Sequence, residues 1–228
     1  MKKNTLTLRA LSALLRYPDA ELRAHLEALS QALHAENALP ADRLAELDAM
    51  MSRMRQRRGL DVEAAYVETF DRGRGTALHL FEHVHGDSRD RGPAMIDLIK
   101  TYEAAGLHFG DGELPDHLTV VLEYASTQPP AQARAFLREF AHILQAIFSA
   151  LLRRQSPYAS VLAALLDLAG VRAQAVQLPD EPALDEDWEE PLAFGGCSTS
   201  GQARPDQPQP IQIVRRSTAT TNLTGARP

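Results

Sequence analysis

Apolar residues recur every three or four positions along most of the chain, with charged residues between them. This spacing places the apolar side chains on one face of an α-helix. The longest pattern runs from Pro130 to Arg154. The stripes are, in chain order, Leu22, Leu26, Leu29 and Leu33; Leu44, Leu47, Met51 and Met54; Leu60, Ala64 and Val67; Met95, Leu98, Ile99 and Tyr102; Leu118, Val121, Leu122 and Ala125; Phe136, Phe140, Ile143, Ile147 and Leu151; and Val161, Leu165 and Leu168. Because the first 178 residues lack the period-two alternation of a strand, they predict an all-α, single-domain helical bundle.

Prolines and glycines divide these stripes at positions that helix ends favour. Proline fits the first helical turn, where a backbone N–H has no partner, and glycine fits the residue after a helix, where a left-handed conformation is common. We therefore expect helix starts and helix ends at two sets of positions. Starts are expected near Pro18, Pro40, Pro115, Pro130 and Pro157, and ends near Gly59, Gly86 and Gly106.

The composition changes near residue 178. An acidic run from Asp180 to Glu190 contains seven carboxylates, and a segment rich in Pro, Gly, Ser, Thr and Gln follows it to Pro228. Such a segment has too little apolar surface to offset the entropy cost of ordering it. We therefore expect a helical domain over residues 1–178, and an acidic linker with a disordered tail over residues 179–228.

Charge and cysteine content exclude several classes of protein. The chain has a formal net charge of -6 and one cysteine, Cys197, so neither a basic nucleic-acid-binding face nor a disulfide framework is expected. No apolar run approaches the roughly 20 residues of a membrane-spanning helix. Arg9 and Arg16 interrupt the N-terminal leucines, which is not typical of a signal peptide. These features predict a cytoplasmic protein that is not inserted in a membrane.

Motifs for catalysis are weak throughout the chain. The segment Asp71-Arg-Gly-Arg-Gly75 lacks the lysine and the spacing of a phosphate-binding loop. Ser88 and Asp87 lie close in sequence to two histidines, but a catalytic triad depends on geometry that sequence proximity does not supply. No spacing singles out two carboxylates as an acid–base pair. We therefore predict no catalytic residue, no enzyme activity and no bound cofactor.

The histidines leave one alternative open. His79 and His83 are four residues apart, so on a helix both would face one point, and His85 and Asp87 follow closely. Two histidines with a nearby carboxylate can bind zinc or another divalent ion. A metal-binding helical protein that uses these four residues is therefore an alternative hypothesis, although such a pair is more often a polar helix face.

Varied polar chemistry is concentrated between Tyr66 and Glu123. This stretch holds five of the chain's eight histidines and seven of its thirteen glycines. The flanking helices consist mainly of Leu, Ala, Arg and Glu. A plain scaffold on both sides of a chemically diverse middle indicates a binding surface there, and the residues by themselves do not identify its ligand.

Four short blocks in this stretch follow one another in a specific order. They are Tyr66-Val-Glu-Thr-Phe-Asp71, Leu78-His-Leu80, His83-Val-His-Gly-Asp-Ser-Arg-Asp-Arg-Gly92 and Glu113-Leu-Pro-Asp-His-Leu118. Together they resemble the NarJ family, the assembly chaperones of respiratory nitrate reductase, and the opening segment Leu11-Ser-Ala-Leu-Leu-Arg-Tyr-Pro18 is similar to that family's usual start. The resemblance covers about residues 5–170. One departure is His79, where the family usually has an aromatic residue or leucine.

The resemblance implies an all-helical chaperone that binds the N-terminal segment of the catalytic alpha subunit of nitrate reductase. It also implies that this apo-subunit is kept competent until a bis-guanine-dinucleotide molybdenum cofactor and an iron–sulfur cluster are inserted. Attachment to the membrane subunit would be delayed until then. A sibling chaperone that serves another molybdoenzyme is a further alternative.

Candidate client-binding residues come from the blocks of the resemblance and from the neighbouring apolar positions. A helical client would lay its apolar face in a hydrophobic groove, and charged side chains would pair across its rim. Ordinary core packing is the alternative for the apolar candidates, and helix capping is the alternative for two of the aspartates. The candidates are Tyr66, Phe70, Asp71, Leu80, His83, Asp87, Arg89, Arg91, Met95, Tyr102, Glu113 and Asp116.

Overall fold

A computed structural model describes residues 3–85, 90–108 and 114–177, and these residues form ten α-helices and a short 3-10 helix, with no strand among them. The all-α prediction is therefore confirmed. The helices are α1 (Thr5–Leu14), α2 (Ala20–Glu36), α3 (Ala41–Gln56), α4 (Gly59–Phe70), α5 (Glu82–His85), α6 (Arg91–Ala104), α7 (Leu118–Thr127), α8 (Pro130–Glu139), α9 (Ala141–Arg153) and α10 (Ala159–Ala169), and the 3-10 helix is Arg74–Thr76.

Helix α10 lies at the centre of the core. It packs against α9, α8, α3 and α1, and every side chain from Val161 to Leu166 is buried. A helix that is apolar on all sides is stable only when other elements surround it. The left-handed Gly170, with φ of 73°, ends this helix.

Helix α1 packs between α7 and α2. Its side chains Leu8, Leu11 and Leu14 are fully buried, and the hydroxyl of Ser12 donates to the carbonyl of Thr119 at 3.1 Å. These contacts fix the register of α1 along α7. Arg9 and Ala13, on another face of α1, are not part of this buried contact and line a groove.

Most of the expected helix boundaries agree with the structure where it describes them, but Gly59, expected near a helix end, is the first residue of α4. Asp19, after Pro18, caps α2 by accepting from the N–H of Leu22 at 2.7 Å. Pro130 is the first residue of α8. Gly106 has φ of 77° two residues after α6 ends, which is the left-handed conformation that glycine adopts without steric cost.

The prediction of one long helix between residues 130 and 154 is wrong. The chain breaks at Phe140 into α8 and α9, whose axes are bent by 68°. The bend allows α8 to bury Ala133 and Leu137 while α9 buries a different face that includes Ile147. Since a straight helix holds one apolar stripe against one surface, it could not make both sets of contacts.

The predicted stripe of α4 is also wrong, because it lies on the solvent side. Leu60 is 78% exposed, and Ala64 is exposed one turn later. The buried face consists of Val62, Tyr66 and Phe70. Aromatic rings bury more apolar area than alanine or leucine, so the two rings determine which face of the helix turns inward.

Residues beyond 177 lie outside the described part, so the acidic linker and disordered tail stay a prediction. Within the described residues, no single helix is long and apolar enough to cross a membrane. The pair α8 and α9 meets the length and composition of a span only when its two bent halves are taken together.

Candidate functional site

Two loops meet beside α7 and are joined through Asp116. The loop before α5 and the loop before α7 form an isolated antiparallel bridge between His79 and His117. The N–H of Leu80 donates to the carbonyl of Asp116 at 3.0 Å, and the N–H of Leu118 donates to the carbonyl of Leu78 at 2.8 Å. This pairing holds both loops in one position at the start of α7.

The side chain of Asp116 is fully buried beneath these loops. Its Oδ2 accepts from the N–H of Phe81 at 3.2 Å. Arg91, at the start of α6, lies 3.5 Å from the same carboxylate oxygen and 3.5 Å from Glu82. His79 Nδ1 lies 3.6 Å from Oδ1. The carboxylate therefore ties the loop before α5, the loop before α7 and the start of α6 together.

The charge state of Asp116 follows from these neighbours. Burial alone would raise the pKa of this carboxyl, but the contacts with His79, with the N–H of Phe81 and with Arg91 lower the pKa below its ordinary value of 3.8. The group is thus ionised at neutral pH. Oδ1 of Asp116, Nδ1 of His79 and Nε of Arg91 are buried without a hydrogen-bond partner among the described residues.

His117 is the N-cap residue of α7 and, unlike Asp116, carries no charge at neutral pH. Its Nδ1 accepts from the N–H of Thr119 at 3.4 Å and from its hydroxyl at 2.6 Å, which caps the helix. The His79 ring lies 4.9 Å away in an edge-on arrangement. Burial first, and then repulsion from His79, lower the pKa of His117 to about 4, against an opposing effect of Asp116. The ring is therefore neutral at physiological pH.

Tyr102 anchors α6 to the same loop. Its hydroxyl donates to the carbonyl of Pro115 at 2.9 Å, and its ring packs 4.9 Å from Tyr124 of α7. Burial raises the pKa of this phenol, so it remains a donor. Leu98 and Tyr102 are the two buried side chains of α6, so the helix depends on this anchor for its position.

A second group of aromatic rings supports α4. Tyr66 packs against Tyr17 at 5.7 Å, Phe70 at 4.8 Å and Tyr158 at 5.9 Å. Its hydroxyl donates to the carbonyl of Leu15 at 2.8 Å, and burial raises its pKa to about 12. Tyr17, at the edge of this group, is half exposed, so the rings reach from the core to the surface beside α1.

Three adjoining clefts on this side of the molecule form one surface, which we call the α1–α7 groove. Their volumes are about 490, 500 and 320 Å³. Arg16 lines all three, Val120 joins the first to the second, and Tyr17 joins the second to the third. The other residues are Arg9, Ala13, Tyr102, Leu107, His108, Glu123, Tyr124, Ser126 and Thr127 in the first; Tyr66, His79, Leu114, His117 and Thr119 in the second; and Ala13, Asp19, Glu21, Leu22, His25 and Leu29 in the third.

The groove combines an apolar and aromatic floor with charged edges. Leu114 is 44% exposed at the mouth of the second cleft. Apolar side chains in a concave surface favour binding of a partner's apolar face, and charged rims determine its orientation. The arrangement is suited to holding a segment of polypeptide.

The structure distributes the predicted site residues over several environments. Tyr66 and Tyr102 line the groove. The remaining described candidates are Phe70, Leu80 and Asp116, which are buried; His83, Arg91 and Met95, which are half-buried; and Asp71, which is exposed. Asp87, Arg89 and Glu113, and the helix end expected at Gly86, lie outside the described residues. Glu82 and Asp116 each lie 3.5 Å from the guanidinium of Arg91.

The expectation that His79 and His83 share a helix face is wrong. His79 belongs to the bridge with His117, before α5 begins at Glu82. His83 donates through Nε2 to the carbonyl of Ala77 at 2.9 Å. No cluster of three or more His, Cys, Asp or Glu side chains suited to a metal ion exists within the part of the chain that the structure describes. Asp87, the fourth member of the predicted set, lies outside that part.

Several groove residues were not predicted. Arg9 lies on α1 and Arg16 on the turn that follows it, far in sequence from the predicted binding stretch between Tyr66 and Glu123. Their spacing of seven residues, two helical turns, is the one signal that places both on a single face. Leu114 and Val120 were missed because their apolar chemistry resembles that of core residues.

The sequence of the chain is similar to those of several known proteins. The family model described as "Nitrate reductase delta subunit" matches residues 15–164. The chain is 41% identical over 203 residues to "Nitrate reductase molybdenum cofactor assembly chaperone NarJ" of Escherichia coli (strain K12), covering 83% of this chain and 86% of that protein. It is 43% identical over 141 residues to the "Probable nitrate reductase molybdenum cofactor assembly chaperone NarW" of the same strain, covering 58% and 61%. It is 32% identical over 176 residues to the probable NarJ chaperone of Bacillus subtilis (strain 168), covering 73% and 91%.

Proposed function

Because the chain belongs to the nitrate reductase delta subunit family, we propose that it is a cytoplasmic chaperone for the catalytic subunit of a respiratory nitrate reductase. It binds the N-terminal segment of that subunit before the enzyme is attached to the membrane. Bound in this way, the apo-subunit stays open for insertion of the molybdenum cofactor and an iron–sulfur cluster. Its relatives are named as molybdenum cofactor assembly chaperones of nitrate reductase, which supports this role.

The α1–α7 groove is the observation that carries the proposal. It consists of three clefts that meet at Arg16, so it offers a partner more contact area than a single cleft. An amphipathic helix binds in such a groove through apolar residues on one face, with charged residues at the rim. The exposed Leu114 and the half-buried Val120 supply apolar contacts in the second cleft.

The elements around the groove explain how it stays open. Asp116 holds the two loops and the start of α6, while Tyr66 ties α4 to the end of α1. Rigid walls reduce the entropy that is lost when a flexible segment binds. In this proposal Asp116, a candidate for contact with the client, instead supports the shape of the groove from behind.

Binding of the client segment to matched variants tests the proposal. We compare Leu114→Asp with Leu152→Asp, because the two leucines are 44% and 42% exposed and Leu152 lies on α9 outside the groove. The probe is a fluorescent peptide of the first residues of the nitrate reductase catalytic subunit from the same organism. We expect Leu114→Asp to weaken binding about tenfold or more, since a buried unpaired carboxylate opposes association, and Leu152→Asp to bind like the wild type.

Two results would contradict this function. Absence of peptide binding by the wild-type chain would reject the N-terminal segment as the client site. Equal loss of affinity in both leucine variants would reject the groove as the binding surface. Stronger binding to the corresponding segment of another molybdoenzyme would instead support the sibling-chaperone alternative.

A further inference from the structure

The α1–α7 groove contains two arginines that have no carboxylate partner among the residues that the structure describes. Arg9 and Arg16 both line the first cleft, and Arg9 makes one side-chain contact, from Nε to Ser126 Oγ at 3.3 Å. Six other described arginines pair with an acidic side chain: Arg23, Arg43, Arg55, Arg58, Arg72 and Arg91. Others without such a pair, such as Arg138 and Arg153, lie at exposed positions outside the groove. Since Glu123 is the one carboxylate among the residues that line the first cleft, the two arginines give its lining an excess of positive charge.

The spacing of the two arginines is that of one helix face. They are seven residues apart, and the hydrogen bond from Arg16 N to Ala13 O, 3.1 Å long, continues the helical path past the end of α1. Two turns of helix correspond to about 10 Å along the axis. A second helix lying along α1 presents residues with the same seven-residue spacing.

The chemistry of the first cleft fits an amphipathic partner with acidic side chains. Guanidinium groups bind carboxylates through two parallel hydrogen bonds. Tyr124 and Val120 provide apolar surface in the same cleft as the two arginines. Glu123 also lines this cleft, and its negative charge disfavours a second carboxylate near α7, so acidic groups of a partner are favoured on the α1 side.

We propose that Arg9 and Arg16 recognise two carboxylates seven residues apart on one face of the helical client segment. This inference rests on the proposed function and adds to it the charge pattern that selects the client. The two arginines determine the register in which the client helix lies along α1, while the apolar floor supplies contact area. Recognition therefore weakens as salt is added, because exposed ion pairs are screened.

The test combines charge variants of both partners. The probe is the fluorescent peptide of the catalytic subunit's first residues, together with a version in which its acidic pair is changed to the amides. Arg9→Gln/Arg16→Gln is compared with Arg138→Gln/Arg153→Gln, a control with the same change in net charge at exposed positions of α8 and α9. Both single variants, Arg9→Gln and Arg16→Gln, are measured as well, and circular dichroism establishes that each protein is folded.

We expect the groove double variant to raise the Kd about tenfold and to flatten its salt dependence. The groove double variant should bind the amide peptide and the original peptide with equal affinity. The Arg138→Gln/Arg153→Gln control should change the Kd of the original peptide less than about twofold.

Several outcomes overturn the inference. A client segment without an acidic pair at this spacing, or equal Kd values for both double variants, would reject it while the proposed function stands. Loss of inorganic pyrophosphate binding in the groove variant, with the peptide Kd unchanged, would identify a small-anion site instead. No peptide binding by the wild type would reject the inference and the proposed function together.

Discussion

Replacing His117 with asparagine tests whether this half-buried ring makes the fold sensitive to mild acid. Burial, followed by repulsion from His79, lowers its pKa to about 4 from an ordinary value of 6.5. The imidazole Nδ1 caps α7 by accepting from the N–H of Thr119. Asparagine is a favoured capping residue whose amide oxygen can occupy a similar place, so His117→Asn removes the titration and retains the cap.

The expected magnitude follows from the two pKa values. Between pH 6.5 and pH 4 the unfolded chain binds a proton at His117 that the folded chain does not bind, so the free energy of unfolding decreases as the pH falls. From pH 7.5 to pH 5 the free energy of unfolding decreases by about 2 kcal/mol if the ring is fully shielded from water. The decrease is about 1 kcal/mol after allowance for the side of the ring that faces the second cleft. Asp116 does not contribute in this range, because its pKa lies below 3.8.

Urea unfolding followed by far-UV circular dichroism measures the effect at pH 7.5 and pH 5. Between pH 7.5 and pH 5 the free energy of unfolding of the wild type should decrease more than that of His117→Asn. We expect the two decreases to differ by about 1 to 2 kcal/mol. His142→Asn, at an exposed position of α9, serves as the control and should behave like the wild type. If His117→Asn loses as much stability as the wild type over this range, the neutral buried imidazole is not the source of the acid sensitivity.

Three further predictions use the same unfolding measurement at neutral pH. Asp116→Ala should lose about 3 kcal/mol, because Arg91 and the N–H of Phe81 lose a buried partner, and Asp116→Asn should lose less; equal losses would show that the negative charge is unimportant. Tyr66→Phe should lose about 1 kcal/mol with the bond to the Leu15 carbonyl, and an unchanged stability would argue against that bond. Gly106→Ala should lose about 1 kcal/mol, since alanine is strained at a positive φ; a stabilised variant would contradict the left-handed conformation.

The sequence predicted the helical class well because apolar periodicity is a local property. It failed at Phe140, since the residues of α8 and α9 continue one pattern and nothing local marks the break. The 68° bend arises from contacts that α8 and α9 make with different parts of the core. Leu60 was misassigned for a related reason: the pattern identified an apolar stripe, but the larger rings of Tyr66 and Phe70 decided which side is buried.

The groove was less accessible to prediction, because its parts are distant in sequence. Arg16 and Val120 are about one hundred residues apart, and the packing of α1 on α7 brings them together. The stretch from Tyr66 to Glu123 was correctly marked as chemically unusual. Much of that chemistry, including Asp116, is directed inward and joins loops, an arrangement that composition does not distinguish from an exposed binding surface.

The central position of α10 has a consequence for synthesis of the chain on the ribosome. Helix α1 touches α10, yet about 150 residues separate their starts, and translation adds about 5–20 residues per second. The leucines of α1 therefore wait roughly 8 to 30 s for their last partner. During that interval the leucines of α1 lack their contacts with α10, and α2, which also packs against α1, is the first of its partners to be translated.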